Sequence, residues 1–278
     1  MEINIPFFKS SITIMIPIYF AAMGGMFPAL AGKLNIALEG LLLISAFSSL
    51  AVFYFSGSAA AAVLSAVITS TALAALHAFA VFKLRANLFI SGLALNLFSS
   101  GLCIVLSDKI FNTKGVVYTK SAQDIFLLYV IFGIFLLIVS WIAVYKTPFG
   151  YRLRACEKNA DTLVNLGIKP QFYQTTAILI SGFFCGIGGS FLSLTLGAFV
   201  PGMSAGKGWI SLAIIFLGGR RPAGILAAAF VFAVAESYSN YAQGFWSIPV
   251  DFILAFPYIC TLLTLIAVSI FSKKSNWV

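Results

Sequence analysis

The sequence predicts an all-α fold, a polytopic transmembrane helix bundle of about eight to ten spans with one span short or broken. Three observations carry that expectation. Hydrophobic residues make up 61% of the 278 residues and charged residues only 9%, with a mean hydropathy of +1.03. A soluble chain of this size needs far more charge to keep its surface wet. Apolar runs of about 20 residues, the length that crosses a hydrocarbon core, recur from one end of the chain to the other. These runs lack the polar/apolar alternation of an outer-membrane barrel strand, and open sheets cannot span a bilayer with unpaired backbone groups.

Taken in order, the apolar runs cover residues 11–31, 35–56, 59–81, 87–107, 124–146, 173–196, 203–218, 222–243 and 250–271. The seventh is the shortest and reads either as a tilted crossing or as a broken, re-entrant helix packed inside protein. Glu2 and Lys9 stand at the N-terminus without a small-residue cleavage site, so this stretch is read as mature chain rather than as a signal peptide. The whole of 1–278 reads as one membrane domain. Its longer connections are an external loop at 108–123 and a cytoplasmic segment at 147–172.

Basic residues set the orientation. With 147–172 inside and the loops alternating from it, Lys33, Lys83, Arg85, Lys146, Arg152, Arg154, Lys158, Lys169, Arg220, Arg221, Lys273 and Lys274 lie inside. Lys9, Lys109, Lys114, Lys120 and Lys207 lie outside, a split of twelve to five with every arginine inside. The N-terminus is therefore expected outside and the C-terminus inside. The net charge of +9 is dispersed over short loops, which excludes a nucleic-acid surface. Cys103, Cys156, Cys185 and Cys260 show neither paired spacing nor a nearby histidine and read as small packing residues.

The cytoplasmic segment has the richest local pattern. Pro148 and Gly150 break the preceding span. Beyond them Leu153, Ala155, Cys156, Ala160, Leu163, Val164 and Leu166 recur at helical spacing, mostly on one face of one or two short helices. Asn159 or Asp161 is expected to cap the second, Gly167 to end it, and Pro170 to start the next element. Two readings stand for this amphipathic piece. It rests among lipid headgroups, or it docks in a groove of a soluble partner.

The same stretch closely resembles a signature of the membrane permeases of bacterial ABC importers for branched-chain amino acids, ribose-type sugars and nucleosides. The residues concerned are Pro148-Phe149-Gly150, Arg152, Arg154-Ala155, Asn159 and Leu166-Gly167-Ile168. The chain departs from the family pattern in having Glu157 where members carry glycine at or beside that position. Gly32-Lys33-Leu34-Asn35-Ile36-Ala37-Leu38-Glu39-Gly40 and Met203-Ser204-Ala205-Gly206-Lys207-Gly208-Trp209-Ile210 resemble two further family segments. The second is followed by Leu217-Gly218-Gly219 and Pro222-Ala223-Gly224. The resemblance spans roughly residues 20–270 and is greatest to the shorter of two paired permeases in simple-sugar and nucleoside importers. It implies a single permease domain with an ATPase-coupling segment that carries Gly150, Tyr151, Arg152, Arg154, Glu157, Asn159 and Gly167. It also implies a cytoplasmic ATP-binding subunit, a second and non-identical permease chain, an extracytoplasmic substrate-binding protein, and a place in the bacterial inner membrane.

The chain carries no ATPase of its own. A phosphate-binding loop needs G-x-x-x-x-G-K-[ST], but ahead of Gly32-Lys33 and Gly206-Lys207 the leading glycine is replaced by Phe27 and Pro201. The lysines are followed by Leu34 and Gly208. His77 is the sole histidine, so no zinc site or Ser-His-Asp site is expected, nor any catalytic residue, metal or cofactor. Polar groups inside apolar runs are costly unless they face water or a partner. On that ground Asn35, Glu39, Asn96 and Glu236 are candidate translocation-path residues, with Asn240 and Asp251 behind them. Trp209 and Phe199 offer aromatic faces, with lipid anchoring the alternative for both. Gly182, Gly186 and Gly189 are spaced for close helix approach. Gly32-Lys33-x-x-Ile36-x-Leu38 faintly echoes Gly206-Lys207-x-x-Ile210-x-Leu212, as an inverted repeat would. The competing reading is a gradient-driven carrier acting without an ATPase, and the supply of buried acids for it is thin.

Overall fold

A computed structural model of the chain describes residues 5–120 and 125–242. The run at 250–271, with Asp251, Cys260, Lys273 and Lys274, lies outside the described residues. The elements in order are α1 (Ile5–Leu30), α2 (Leu38–Ser56), α3 (Ala59–Phe82), α4 (Leu88–Phe111), β1 (Val117–Tyr118), α5 (Phe126–Tyr145), α6 (Pro148–Lys158), α7 (Ala160–Asn165), α8 (Pro170–Leu196), β2 (Ala198–Phe199), α9 (Lys207–Leu217) and α10 (Pro222–Ala242). Seven of these helices, α1 to α5, α8 and α10, are long and apolar enough to cross a membrane. Local chemistry sets several ends. Asn87 caps α4 by accepting from Phe89 N and Ile90 N at 2.9 and 3.2 Å, and Gly57 ends α2 in the left-handed region.

The bundle is organised around α8. Gln174 Nε2 donates to Ala31 O at 3.3 Å, and Gly24 and Gly188 of the two helices lie against Ser181 and Phe20, so α1 runs antiparallel to α8. Helix α2 runs parallel to α8, with Ser45 Oγ donating to Cys185 O at 3.0 Å and Ser49 Oγ meeting Ser193 Oγ at 2.8 Å. Helix α3 runs antiparallel to it, Gly182 against Thr71 and Ala74 and Gly186 against Val67. The glycines expected to allow close approach do so. A Cβ on Gly182, Gly186 or Gly189 would run into the neighbouring helix. The outer faces of α3, α4 and α5 stay exposed and apolar, for example Leu64, Ile68, Leu97, Ile131 and Ile134, as suits helices that face lipid or another membrane chain.

Two interruptions shape the interior. Residues 31–37 between α1 and α2 are non-helical, as are residues 197–206 between α8 and α9 apart from β2. The seventh apolar run becomes helical only from Lys207, and α9 has 11 residues. At 1.5 Å per residue that is about 16 Å, roughly half of a 30 Å core, so the broken reading of 203–218 is the one observed. Ser211 Oγ donates to Ile18 O at 3.0 Å and Ile215 lies against Gly25, so α9 runs parallel to α1 and antiparallel to α2. The order helix, break, half-buried start, return helix thus occurs twice in opposite directions. The Gly-Lys echo is out of register with it, because Gly32 opens the first break whereas Gly206 closes the second.

At the α8 C-terminal end, β1 and β2 pair antiparallel with Val117 opposite Phe199, and Thr119 N donates to Gly197 O at 2.8 Å. At the opposite end α6 and α7 form a compact two-helix connector, as the apolar spacing anticipates.

Candidate functional site

The two helix breaks meet. Glu39, in the first turn of α2, accepts from Gly206 N through Oε1 at 2.9 Å and from Gly208 N through Oε2 at 2.7 Å. Its carboxylate therefore caps the N-terminus of α9, where unpaired amides and the helix dipole favour negative charge. Gly206 takes a φ of +82° there, and Gly208 leaves no room for a Cβ beside the Glu39 backbone. Asn96 of α4 holds the first break from the other side. Its Oδ1 accepts from Gly40 N at 2.8 Å and its Nδ2 donates to Ile36 O at 3.0 Å. Asn35 is fully buried, accepting from Ala37 N at 3.0 Å and donating to Ser181 Oγ at 2.6 Å.

Helical rise gives the depth of this junction. Asn96 stands about 12 Å from the start of α4 and about 22 Å from its end, well within the apolar layer. Backbone groups released by a break at that depth have no water to turn to. Asn35, Glu39 and Asn96, singled out as costly polar groups, supply the missing partners. The structure thus brings three of the five path candidates together as a polar junction between two half-buried helix starts. Trp209 is 44% exposed, one position past the Gly208 contact. Glu236 of α10 has Oε2 buried, with no hydrogen-bond partner among the described residues, and within electrostatic reach of Lys207 at the start of α9. Asn240 is exposed and Phe199 fully buried, the latter packed on the Phe47 ring rather than presented as a free face.

The second candidate site is the α6–α7 connector. Thr147 caps α6, accepting from Gly150 N at 3.3 Å, and Pro148 occupies its first turn. Any side chain at Gly150 would strike the Ala143 and Val144 carbonyls, so glycine is what lets α6 fold back beneath α5. Leu153, Cys156 and Leu163 anchor the connector to the bundle. Burial pushes the Cys156 thiol above its usual range, opposed only by a backbone hydrogen bond. Val164 and Leu166, read from spacing as part of the apolar face, remain 58% and 69% exposed, as does Tyr151 at 59%. Of the two expected caps of α7, Asn159 stands at the cap position without a side-chain capping bond and Asp161 lies inside the first turn. Gly167 takes a φ of +74° after α7, and Pro170 opens α8, both as expected.

The charged residues of the connector are partly engaged within the chain. Arg152 Nη1 donates to Tyr173 OH at 3.0 Å. The Arg154 guanidinium lies 5.1 Å from each of the Tyr145 and Tyr151 rings. Glu157 pairs with Arg220 of the α9–α10 turn, and Arg220 also donates to Ala29 O at 3.4 Å. Sequence reasoning missed Tyr145, Tyr173 and Arg220. The signal for Arg220 was its place in Gly218-Gly219-Arg220-Arg221-Pro222, a turn that must lie beside the connector if α9 ends at that face.

Residues 7–271 match the family described as branched-chain amino acid transport system / permease component. The chain belongs to this family. It is 32% identical to the guanosine ABC transporter permease protein NupQ of Bacillus subtilis (strain 168), over 90% of this chain and 87% of that one. It is 28% identical, with the same coverages, to the nucleoside ABC transporter permease protein NupC of Lactococcus lactis subsp. cremoris. A putative glucose ABC transporter permease protein, TsgC13, of Haloferax volcanii is 25% identical over 80% of this chain and 73% of its own. No solved structure matches significantly. The chain is accordingly a multi-pass transport subunit of an ABC importer and not an enzyme, its ATP-binding and substrate-binding partners being separate chains. The alternative of a carrier acting without an ATPase finds no support in these likenesses.

Proposed function

We propose that this permease conducts nucleosides across a bacterial plasma membrane, with 1–278 a single permease domain and 147–172 its coupling segment. The observation that carries the coupling role is the α6–α7 connector. It is anchored by Gly150, Leu153 and Cys156, yet leaves Tyr151, Val164 and Leu166 exposed at a bundle end. A rigid connector with an uncovered apolar tip suits a groove of a soluble subunit. In this reading Tyr151 and Arg154 reach that subunit, while Arg152 and Glu157 relay its movement inward through Tyr173 and Arg220. Gly150, Asn159 and Gly167 hold the backbone in place. The connector faces the cytoplasm, with the N-terminus outside and the C-terminus inside, as the distribution of basic residues favours.

The substrate reading rests on the named solutes of the two relatives matched over 90% of the chain. A second permease of a different sequence fits the fact that Bacillus subtilis has two guanosine permease proteins similar to this chain, the other at 26% identity. Glu39, Asn96, Asn35, Trp209 and Glu236 border the path, the first three by holding the broken helices and the last two by facing it.

The test is co-purification and uptake together. The wild-type chain should retain an ATP-binding subunit in detergent, and the importer reconstituted with its second permease and its substrate-binding protein should support ATP-dependent uptake of radiolabelled guanosine in proteoliposomes. Leu166→Glu should lose the subunit while the chain itself stays monodisperse. Retention by the variant would remove the coupling role, and guanosine uptake no faster than that of glucose would remove the nucleoside reading.

A further inference from the structure

A cleft of about 950 Å³ opens beside α6, between the end of α5 and the α9–α10 turn. Among the described residues five cations line it, namely Lys146, Arg154, Lys158, Arg220 and Arg221, against the single carboxylate of Glu157. That carboxylate is already paired with Arg220, so among the described residues the remaining positive charge is uncompensated. Lys158 and Arg221 are exposed and have no acceptor among the described residues. Lys146 lies 5.7 Å from the Trp141 ring, and Arg154 is held between two tyrosines. Trp141 and Tyr145 form the α5 wall of the cleft, and these amphipathic rings are the side chains that collect at headgroup level. From that wall the exposed apolar face of α5 continues through Ile142, Ile138 and Phe135. Positive charge, interfacial aromatics and an adjoining hydrocarbon-facing strip are the three parts an anionic phospholipid needs.

We propose that this cleft binds the phosphodiester headgroup of an anionic phospholipid, its acyl chains lying along α5. Lys146, Lys158 and Arg221 meet the phosphate, and Arg220 forms the back wall, while Arg154 stays between its two tyrosines. The bound lipid bridges α6 to the α9–α10 turn alongside the Glu157–Arg220 pair. Its attraction falls with salt and depends on headgroup charge rather than on headgroup shape.

The experiment uses the full chain co-purified with its ATP-binding subunit and reconstituted in nanodiscs of phosphatidylcholine with a graded fraction of phosphatidylglycerol. Lipid retained after transfer to detergent is counted by native mass spectrometry. The wild type should keep phosphatidylglycerol in preference to phosphatidylcholine, and the triple variant Lys146→Gln/Lys158→Gln/Arg221→Gln should keep at least about tenfold less. Lys109→Gln/Lys114→Gln, at the far end of α4, should match the wild type. Equal retention by the triple variant and the wild type would overturn the proposal. So would displacement of the lipid by millimolar inorganic phosphate, which would make the site one for a soluble anion. Retention only after the ATP-binding subunit is stripped would overturn it as well, by making the cleft a protein interface.

Discussion

Substitution of Glu39 tests the junction of the two broken helices directly. Its carboxylate receives two backbone N–H groups, at 2.9 and 2.7 Å, and each is a hydrogen bond to a charged group of about 1.5–3 kcal/mol net. Glu39→Gln keeps one acceptor oxygen and converts the other into a donor that faces a donor. One amide, of Gly206 or Gly208, is then left unsatisfied at a cost of about 1–3 kcal/mol. Loss of the charge at the start of α9 adds about 0.3–1 kcal/mol. Glu39→Ala strands both amides, so it should cost roughly twice as much as Glu39→Gln. For a domain of this size about 1 kcal/mol moves Tm by about 2–4 °C. Glu39→Gln is therefore expected to lower the melting temperature by about 3–16 °C and Glu39→Ala by more. The assay is thermal unfolding of the detergent-purified chain followed by loss of the monodisperse size-exclusion peak. A Glu39→Ala protein that melts with the wild type would refute the argument that this carboxylate holds α9.

Gly150→Val should prevent α6 from folding beneath α5, since the first carbon added already meets the Ala143 and Val144 carbonyls; trypsin should then cleave at Arg152 or Arg154 in folded-chain conditions where the wild type resists. The Glu157–Arg220 pair is about one-third exposed on each side, so a double-mutant cycle with Glu157→Gln and Arg220→Gln should give a coupling energy no greater than about 1 kcal/mol in stability; a much larger value would mean the pair is shielded by something beyond this chain. Cys156 should resist maleimide at neutral pH, because its thiol is buried and its pKa raised, and alkylation needs the thiolate. In a Cys260→Ala background labelling should stay slow at pH 7, quicken as pH rises toward the elevated pKa, and become complete only on unfolding; rapid labelling at pH 7 would contradict the burial.

Much of the helix plan could be read from residues alone, because every long helix is an apolar run bounded by Pro, Gly or charge. The starts at Ala59, Leu88 and Pro222 fall within a residue of the expected ones. The breaks were harder to see. Asn35 to Leu38 continues an apolar run without any composition change, so hydropathy extends α2 three residues too far. What holds residues 35–37 out of the helix is a set of contacts from far along the chain, Asn96 to Ile36 and Gly40 and Asn35 to Ser181. The polar path candidates were found because burial in hydrocarbon is costly whatever the purpose. Their immediate purpose, completing backbone hydrogen bonds, depends on partners up to 169 residues away and leaves no local trace. In the connector the turn chemistry at Pro148, Gly150, Gly167 and Pro170 was legible, being local. The pairing of Glu157 with Arg220 was not, because it required knowing that α9 ends at the same face.

The glycine contacts of α8 have a mechanical consequence. Three helices touch its backbone on different sides with no side chain between, and such contacts neither compress nor slip without collision. Helices α1, α2, α3 and α8 are therefore geared as one block. Any rearrangement that opens and closes a passage must take place at the margins of that block. Helices α9 and α10 pack on α1 of that block, α9 through Ser211 on Ile18 and Ile215 against Gly25, so its margin is formed by α4 and α5 with their exposed outer faces.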